Sequence, residues 1–162
     1  MIVILYQIHK VRVIGMSFSA RELLARLIKC EAGGEGVDGM KAVATVVMNR
    51  VHASYGEYLR VCQGDLRKVI FQPRQFTCVM GKVYGEVNPQ TIWSNPPEQI
   101  HYDVADWALA GNKLPGVGEC LWYYNPYSPT CSQYFPPTGT GKFVTRVNQH
   151  CFYRPTELYA QT

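Results

Sequence analysis

Much that would disclose a function cheaply is missing from this chain. Its six cysteines include no CxxC pair, and with its four histidines they form no cluster at zinc spacing, so no metal is expected and no cofactor is called for. Basic residues are scattered: a net charge of +4 without a run of Lys and Arg makes nucleic acid a weak candidate partner, while an anionic polymer such as a bacterial wall fits the charge equally well. Internal repeats and low-complexity tracts are absent. A long apolar run is lacking too. The opening run of five, Met1 to Leu5, is soon followed by His9, Lys10 and Arg12, has no positive region before it and no clear cleavage site after it. It fits neither a secretory signal nor a membrane span. Residues 1–16 are therefore set apart as an N-terminal extension, with Met16 as a candidate true start, and residues 17–162 are read as a single domain of a chain made in the cytoplasm.

What is present is ordinary for a folded protein. At 162 residues, 47% apolar and 17% charged, the chain suffices for one domain with a real core. Eleven Tyr and three Trp are many for this length, and they concentrate after residue 93. Such side chains pair a flat apolar face with a polar tip, which suits either sugar rings or a buried aromatic core. Cys30 and Cys78 sit in apolar stretches where a free thiol is expected. Cys131 and Cys151, both in the loop-rich tail, are the candidate disulfide.

Helices come first and a small sheet second. Ser19 or Ser17 caps a helix from about Ala20 to Cys30, which the glycines after Ala32 stop. A second helix starts near Asp38, with Met40, Val43, Ala44, Val47 and Val51 at helical spacing. The stretch from Ser54 to Gln63 reads as looser, Asp65 to Ile70 as a short helix, and Phe71 to Phe76 as a loop because of Pro73. Glu98 to Ala110 is a third long helix, ended by Gly111 and Asn112. From Leu114 onward the pattern changes: Leu121 to Tyr124 is strand-like, a Pro-rich loop covers Asn125 to Gly141, and Phe143 to Tyr153 reads as a second strand. The expected fold class is α+β, with the active loop between helices and sheet.

One carboxylate stands out. Leu24, Leu27, Ile28 and Glu31 fall at i, i+3, i+4 and i+7, so an acid shares the apolar face of its helix, just before the run Gly33, Gly34, Glu35, Gly36. Low dielectric and the negative end of a helix both disfavour its ionised form, which raises its pKa and suits a general acid.

The segment ARLIKCEAGGEGVDGMKAVATVVMNRV (Ala25 to Val51) resembles the catalytic opening of the SleB/CwlJ family of bacterial cell-wall hydrolases, the spore cortex-lytic enzymes. FQPRQF (Phe71 to Phe76), LWYYNP (Leu121 to Pro126) and NQHCFYRP (Asn148 to Pro155) resemble further family segments, in the expected order. The HCFY form of the tail and the want of a separate wall-binding domain place the resemblance on the CwlJ side. It implies a lysozyme-like fold, with a helical N-terminal part and a small antiparallel sheet in the C-terminal part. It further implies cleavage of the glycan strands of spore-cortex peptidoglycan during germination, in the coat and cortex region of a spore-former, with a spore-coat protein partner left open. Glu31 is then the catalytic acid, and Glu35 a site residue of uncertain role.

Around Glu31, Gln75, Asn49 and His150 are candidates to hold acetamido or hydroxyl groups, and Phe76, Trp122 and Tyr124 to line a groove against sugar faces. Each has a structural alternative: Asn49 and Arg50 satisfying loop carbonyls, Gln75 supporting the Pro73 turn, His150 bonded to backbone, Glu35 stabilising the second helix. Trp122 and Tyr124 alternate with Leu121 and Tyr123, so one pair faces the core and the other a groove or water. Glycosidases that use two carboxylates would need a second acid. Glu35 is the nearest candidate, with Asp38, Asp103 and Glu119 farther away, whereas a lytic transglycosylase needs only one. Two rival functions remain: a catalytically silent wall-binding or coat protein, and a cysteine peptidase or amidase using Cys30 or Cys151 with His150.

Overall fold

The computed structural model describes residues 18–162, so the proposed extension and Met16 lie outside it. Ser19 starts helix α1 (Ala20–Ala32): its hydroxyl accepts from the Glu22 amide at 3.1 Å, a cap worth about 1 kcal/mol. Leu23, Leu24, Leu27 and Ile28 on this helix are fully buried. Helix α2 (Gly36–Val51) is buried on nearly every side, Val46 and Thr45 as fully as Val43 and Val47, which marks it as the central helix of the domain. Both pack against the long helix near residue 100, described below. The first helix outlasts its expected end at Cys30 by two residues, so Glu31 sits inside its last turn.

Ser54 to Gln63 is not loose. It contains helix α3 (Gly56–Cys62), followed by α4 (Leu66–Ile70), which Asp65 caps by accepting from the Arg67 amide at 2.8 Å. Over seven residues α3 buries only Tyr58 and Cys62, too few for periodicity to show. The C-terminus stabilises it instead: the Tyr58 amide donates to the Tyr159 hydroxyl at 3.1 Å and the Glu57 amide to Thr162 Oγ1 at 2.9 Å. Gly56 has φ +71°, and a Cβ there would lie 2.6 Å from the Tyr159 ring, so only glycine lets this helix approach so closely.

A small hairpin follows, β1 (Lys82–Val83) and β2 (Glu86–Val87), turned by Tyr84 and Gly85 at φ 52° and 82°. Helix α5 (Gln99–Leu109) is the long helix that packs on α1 and α2, burying Val104, Ala105 and Ala108. A second sheet has strands β3 (Trp122–Tyr124), β4 (Gly141–Val147) and β5 (His150–Pro155) in the antiparallel order β3-β5-β4. What the sequence suggests is one strand from Phe143 to Tyr153 is a hairpin. Val147 pairs with His150, and Asn148 makes the turn at φ 50°, a left-handed conformation that asparagine tolerates. A continuous β-branched and aromatic pattern hid the reversal, since no glycine announces it. Cys131 and Cys151 form a disulfide with a Cα separation of 5.9 Å, tying the Pro-rich loop to β5.

Candidate active site

The site lies where α1 ends and the sheet begins. A cleft of about 850 Å³ is lined by Glu31 and Glu35 from the helical part, by His150 from the sheet and by the loop residues Asn88, Gln90 and Asn95. It continues past Glu31 in both directions, toward Met40 and His101 at one end and toward Arg50, Gln75 and Tyr124 at the other. Two cations fix the loop wall to α1. Arg26, nearly buried and paired with Glu22 at 2.8 Å, donates to the Ile92 carbonyl at 2.6 Å, and Lys29 donates to the Pro96 carbonyl at 2.7 Å. Tyr102 on α5 donates to the other oxygen of Glu22 and locks that pair in turn.

Glu31 is partly exposed to the cleft, yet protein atoms enclose most of its carboxyl group. Its two oxygens have separate donors: the Tyr123 hydroxyl at 2.9 Å to Oε2 and the Cys78 thiol at 3.5 Å to Oε1. Burial raises the pKa of Glu31, and it outweighs the two hydrogen bonds and the charge of Arg50, all of which favour the carboxylate. Tyr123 is itself held well above the usual tyrosine range, chiefly by burial and then by the charge of Glu31, so its hydroxyl remains a donor. A partly desolvated acid with fixed donors has the character that proton delivery requires.

The other candidate residues separate into cleft and scaffold. Glu35 reaches the cleft while its Oε2 accepts from the Gln149 amide at 3.1 Å and its backbone carbonyl accepts from the Asn148 side chain. His150 is mostly buried, its ring edge-on to Tyr123 at 5.2 Å. Its Nδ1 lies 3.5 Å from Glu35 Oε1 without hydrogen-bond geometry and is left without a hydrogen-bond partner among the described residues. Burial lowers the His150 pKa against the pull of Glu35, which favours the neutral ring. Gln75 lies at the cleft's end, its Oε1 accepting weakly from Arg50 and from the Tyr58 hydroxyl, each at 3.4 Å. Tyr124 borders the same end, stacked on Phe135 at 4.4 Å and donating to Ser132 Oγ at 2.9 Å.

Two candidates, Asn49 and Trp122, lie in the scaffold, and a third, Phe76, lies beneath the cleft. Asn49 is 6% exposed and its Nδ2 donates to the Gly118 carbonyl at 2.7 Å and the Cys120 carbonyl at 2.9 Å, leaving no free donor for a sugar. Trp122 is 5% exposed and packs edge-on against Tyr159 at 5.4 Å, in the core. Phe76 is 2% exposed, under the guanidinium of Arg50 at 5.4 Å, and lines the floor of the cleft at its Gln75 end. Arg50 donates to the Leu121 carbonyl at 2.8 Å, in the role of loop-carbonyl partner that the sequence suggests for it. Of the alternating strand residues Tyr123, rather than Trp122, turns to the Glu31 carboxyl, a role that the sequence pattern does not assign to it. Cys78 is missed as well. Its flanking residues Thr77 and Val79 and the helical period of α1 carry no signal that a thiol closes on Glu31. Asp103 accepts from Gln99 and Glu119 pairs with Lys113, so neither is free to act beside Glu31. Cys151 is in the disulfide, which removes it as a nucleophile.

Comparison with known proteins fits this geometry. The chain is 30% identical over 136 residues to "Cell wall hydrolase CwlJ" of Bacillus subtilis, spanning 83% of this chain and 84% of that protein. A spore cortex-lytic enzyme of Oceanobacillus iheyensis is 29% identical over 138 residues, which are 85% of this chain but 42% of that longer protein. Among solved structures, the catalytic domain of the germination-specific lytic transglycosylase SleB from Bacillus anthracis superposes with a TM-score of 0.58 at 25% identity, covering 85% of this chain and 98% of that domain. The catalytic domain of Bacillus cereus SleB follows at 0.56 and 26%, over 83% of this chain and 89% of that one. The expected α+β, lysozyme-like architecture is therefore the one found. With the cell wall hydrolase model matching residues 34–153, which begin just after Glu31, the chain belongs to the cell wall hydrolase family.

Proposed function

We propose that this protein cleaves the glycan strands of spore-cortex peptidoglycan, with Glu31 as acid and then base, in the coat and cortex region during germination. The observation that carries the reading is the Glu31 carboxyl itself: burial raises its pKa, Tyr123 and Cys78 hold it, and the cleft extends past it on both sides. A polymer lying in that cleft would have sugars on either side of the acid.

The protonated carboxyl of Glu31 gives its proton to the glycosidic oxygen. The bond from that oxygen to the anomeric carbon breaks, and positive charge develops on the sugar ring. Glu31, now a carboxylate, takes the proton of the same sugar's 6-hydroxyl as that oxygen bonds to the anomeric carbon, which restores the acid and closes an anhydro ring. The lytic transglycosylase course is favoured over a two-carboxylate hydrolase because Glu35, the acid that shares the central cleft with Glu31 among the described residues, is engaged with the β4–β5 turn. In this reading Gln75, Tyr124 and His150 meet substrate groups and Phe76 lines the same end of the cleft, while Asn49 and Trp122 act as scaffold.

Purified cortex and purified vegetative wall, each digested and analysed by mass spectrometry, test the reading. Anhydro-sugar ends are the expected product. Reducing ends would replace transglycosylation by hydrolysis, free amino termini would mean a peptidase or amidase, and no soluble product from either substrate would leave a silent wall-binding protein.

A further inference from the structure

One aromatic side chain on the rim of the cleft is left out of the packing. Tyr127 is 90% exposed, yet it borders both the central cleft beside Glu31 and the end that holds Gln75 and Tyr124. Tyr124, Phe135 and Tyr153 pack ring against ring a few residues away, and Tyr127 stands outside that cluster. Its amide donates to Asn125 Oδ1 at 2.8 Å, whereas its hydroxyl has no hydrogen-bond partner among the described residues. An aromatic face left in water contributes nothing to folding.

The backbone adds a second, independent mark. Tyr127 has φ 49°, in the left-handed region that a residue with a Cβ enters only against steric resistance. Neighbouring segments hold it there. Arg146 on β4 donates to the Ser128 carbonyl at 2.9 Å, the Thr130 amide donates to Ser128 Oγ at 3.2 Å, and the Cys131–Cys151 disulfide anchors the loop to β5. Pro126 and Pro129 restrict the chain on either side. Residues kept in such conformations by their surroundings concentrate at ligand clamps. Tyr84 supplies the contrast. It is fully exposed and has φ 52°, but there the left-handed backbone makes the two-residue turn between β1 and β2, and its neighbour Val83, rather than Tyr84, lines the cleft.

We propose that Tyr127 is a sugar-stacking residue, whose ring takes the apolar C–H face of a pyranose on the Gln75 side of Glu31. The assignment rests on the glycan-cleavage reading and adds to it the residue that grips the strand. A pyranose presents C–H groups on its faces and hydroxyls around its edge, so an open aromatic face recognises the ring while the amides of Gln75 and Asn125, at the same end of the cleft, reach the edge. Because the loop is braced before substrate arrives, little conformational freedom is lost on stacking. The contact is the same before and during bond cleavage, so it acts on KM and not on kcat.

Initial rates on soluble cortex glycan fragments, measured for the full chain and for Tyr127→Ala, Tyr127→Phe and Tyr84→Ala, test the assignment. Tyr127→Ala is expected to raise KM about threefold to tenfold, with kcat and melting temperature unchanged. Tyr127→Phe keeps the ring and the parental KM, and Tyr84→Ala matches the parent. An unaltered KM in Tyr127→Ala, a loss confined to kcat, or an equal rise in Tyr84→Ala overturns the proposal. If the full chain itself releases no glycan, the function reading fails and the stacking role falls with it; glycan release with one KM for parent and Tyr127→Ala removes the stacking role alone.

Discussion

The two walls of the cleft are built by different means and bear on Glu31 in different ways. The helical wall, α1 with α2 and α5 behind it, is an aliphatic core that helps to bury the carboxyl and so opposes ionisation, although its own Arg50 favours the carboxylate. The sheet wall is aromatic, stapled by a disulfide, and contributes a hydroxyl that favours the ionised form. In the proposed reaction Glu31 gives a proton and then takes one back, and both effects serve that. Burial makes it an acid, and the facing donor keeps its conjugate base within reach.

Removing the acid is the severest way to break this balance. Glu31→Gln is expected to lower glycan release by about 10²–10⁴-fold, measured as soluble product from cortex, with the fold retained. Stability should move the other way. Because the folded-state pKa of Glu31 is raised, its favourable contribution is complete below the unfolded carboxylate value of about 4.3 and is lost as pH rises through the folded value. Above that point Glu31→Gln should melt at a higher temperature than the parent, and a lower melting temperature at neutral pH would contradict the burial argument. Wild-type activity should fall on the alkaline side of the same raised pKa.

Trp122→Ala tests whether the sheet wall is anchored through its core side; a loss of about 3–5 kcal/mol in denaturant unfolding is expected. A smaller stability effect belongs to Asn49→Ala, which orphans two carbonyls of the segment leading into β3 and should cost about 1–3 kcal/mol. KM for soluble glycan fragments should not change, since Asn49 is scaffold. Tyr123→Phe is the gentlest and most specific change. Losing one hydrogen bond to a charged group, about 1.5 kcal/mol, corresponds to roughly a tenfold fall in kcat/KM. The alkaline limb should also shift upward, because the bond that favours the Glu31 carboxylate is gone. An unchanged limb would mean that Tyr123 merely packs there.

The contrast between the walls also explains what was legible from the chain alone. Leu24, Leu27, Ile28 and Glu31 repeat at the period of a helix, so the first wall and its acid are visible without coordinates. Neighbouring candidates on the second wall depend on which face of a short strand points inward. Trp122 and Tyr123 are equally aromatic, and only pairing with β5 and packing on Tyr159 decide that Trp122 goes to the core. Helix α3 was illegible for a related reason: its stabilising partners, Tyr159 and Thr162, lie about a hundred residues away in sequence. Cys131 and Cys151, by contrast, share a loop-rich tail, and their bond follows from that proximity.

The clasp between Glu35 and the β4–β5 turn carries a warning for mutagenesis. Its carboxylate and its main-chain oxygen both accept hydrogen bonds from that turn, so this acid helps hold one bank of the groove against the other. Replacing Glu35 would let the banks part and depress turnover in a manner easily mistaken for the loss of a second proton carrier. Gln in its place, able to accept from the Gln149 amide but carrying no charge, separates the mechanical contribution from the chemical one.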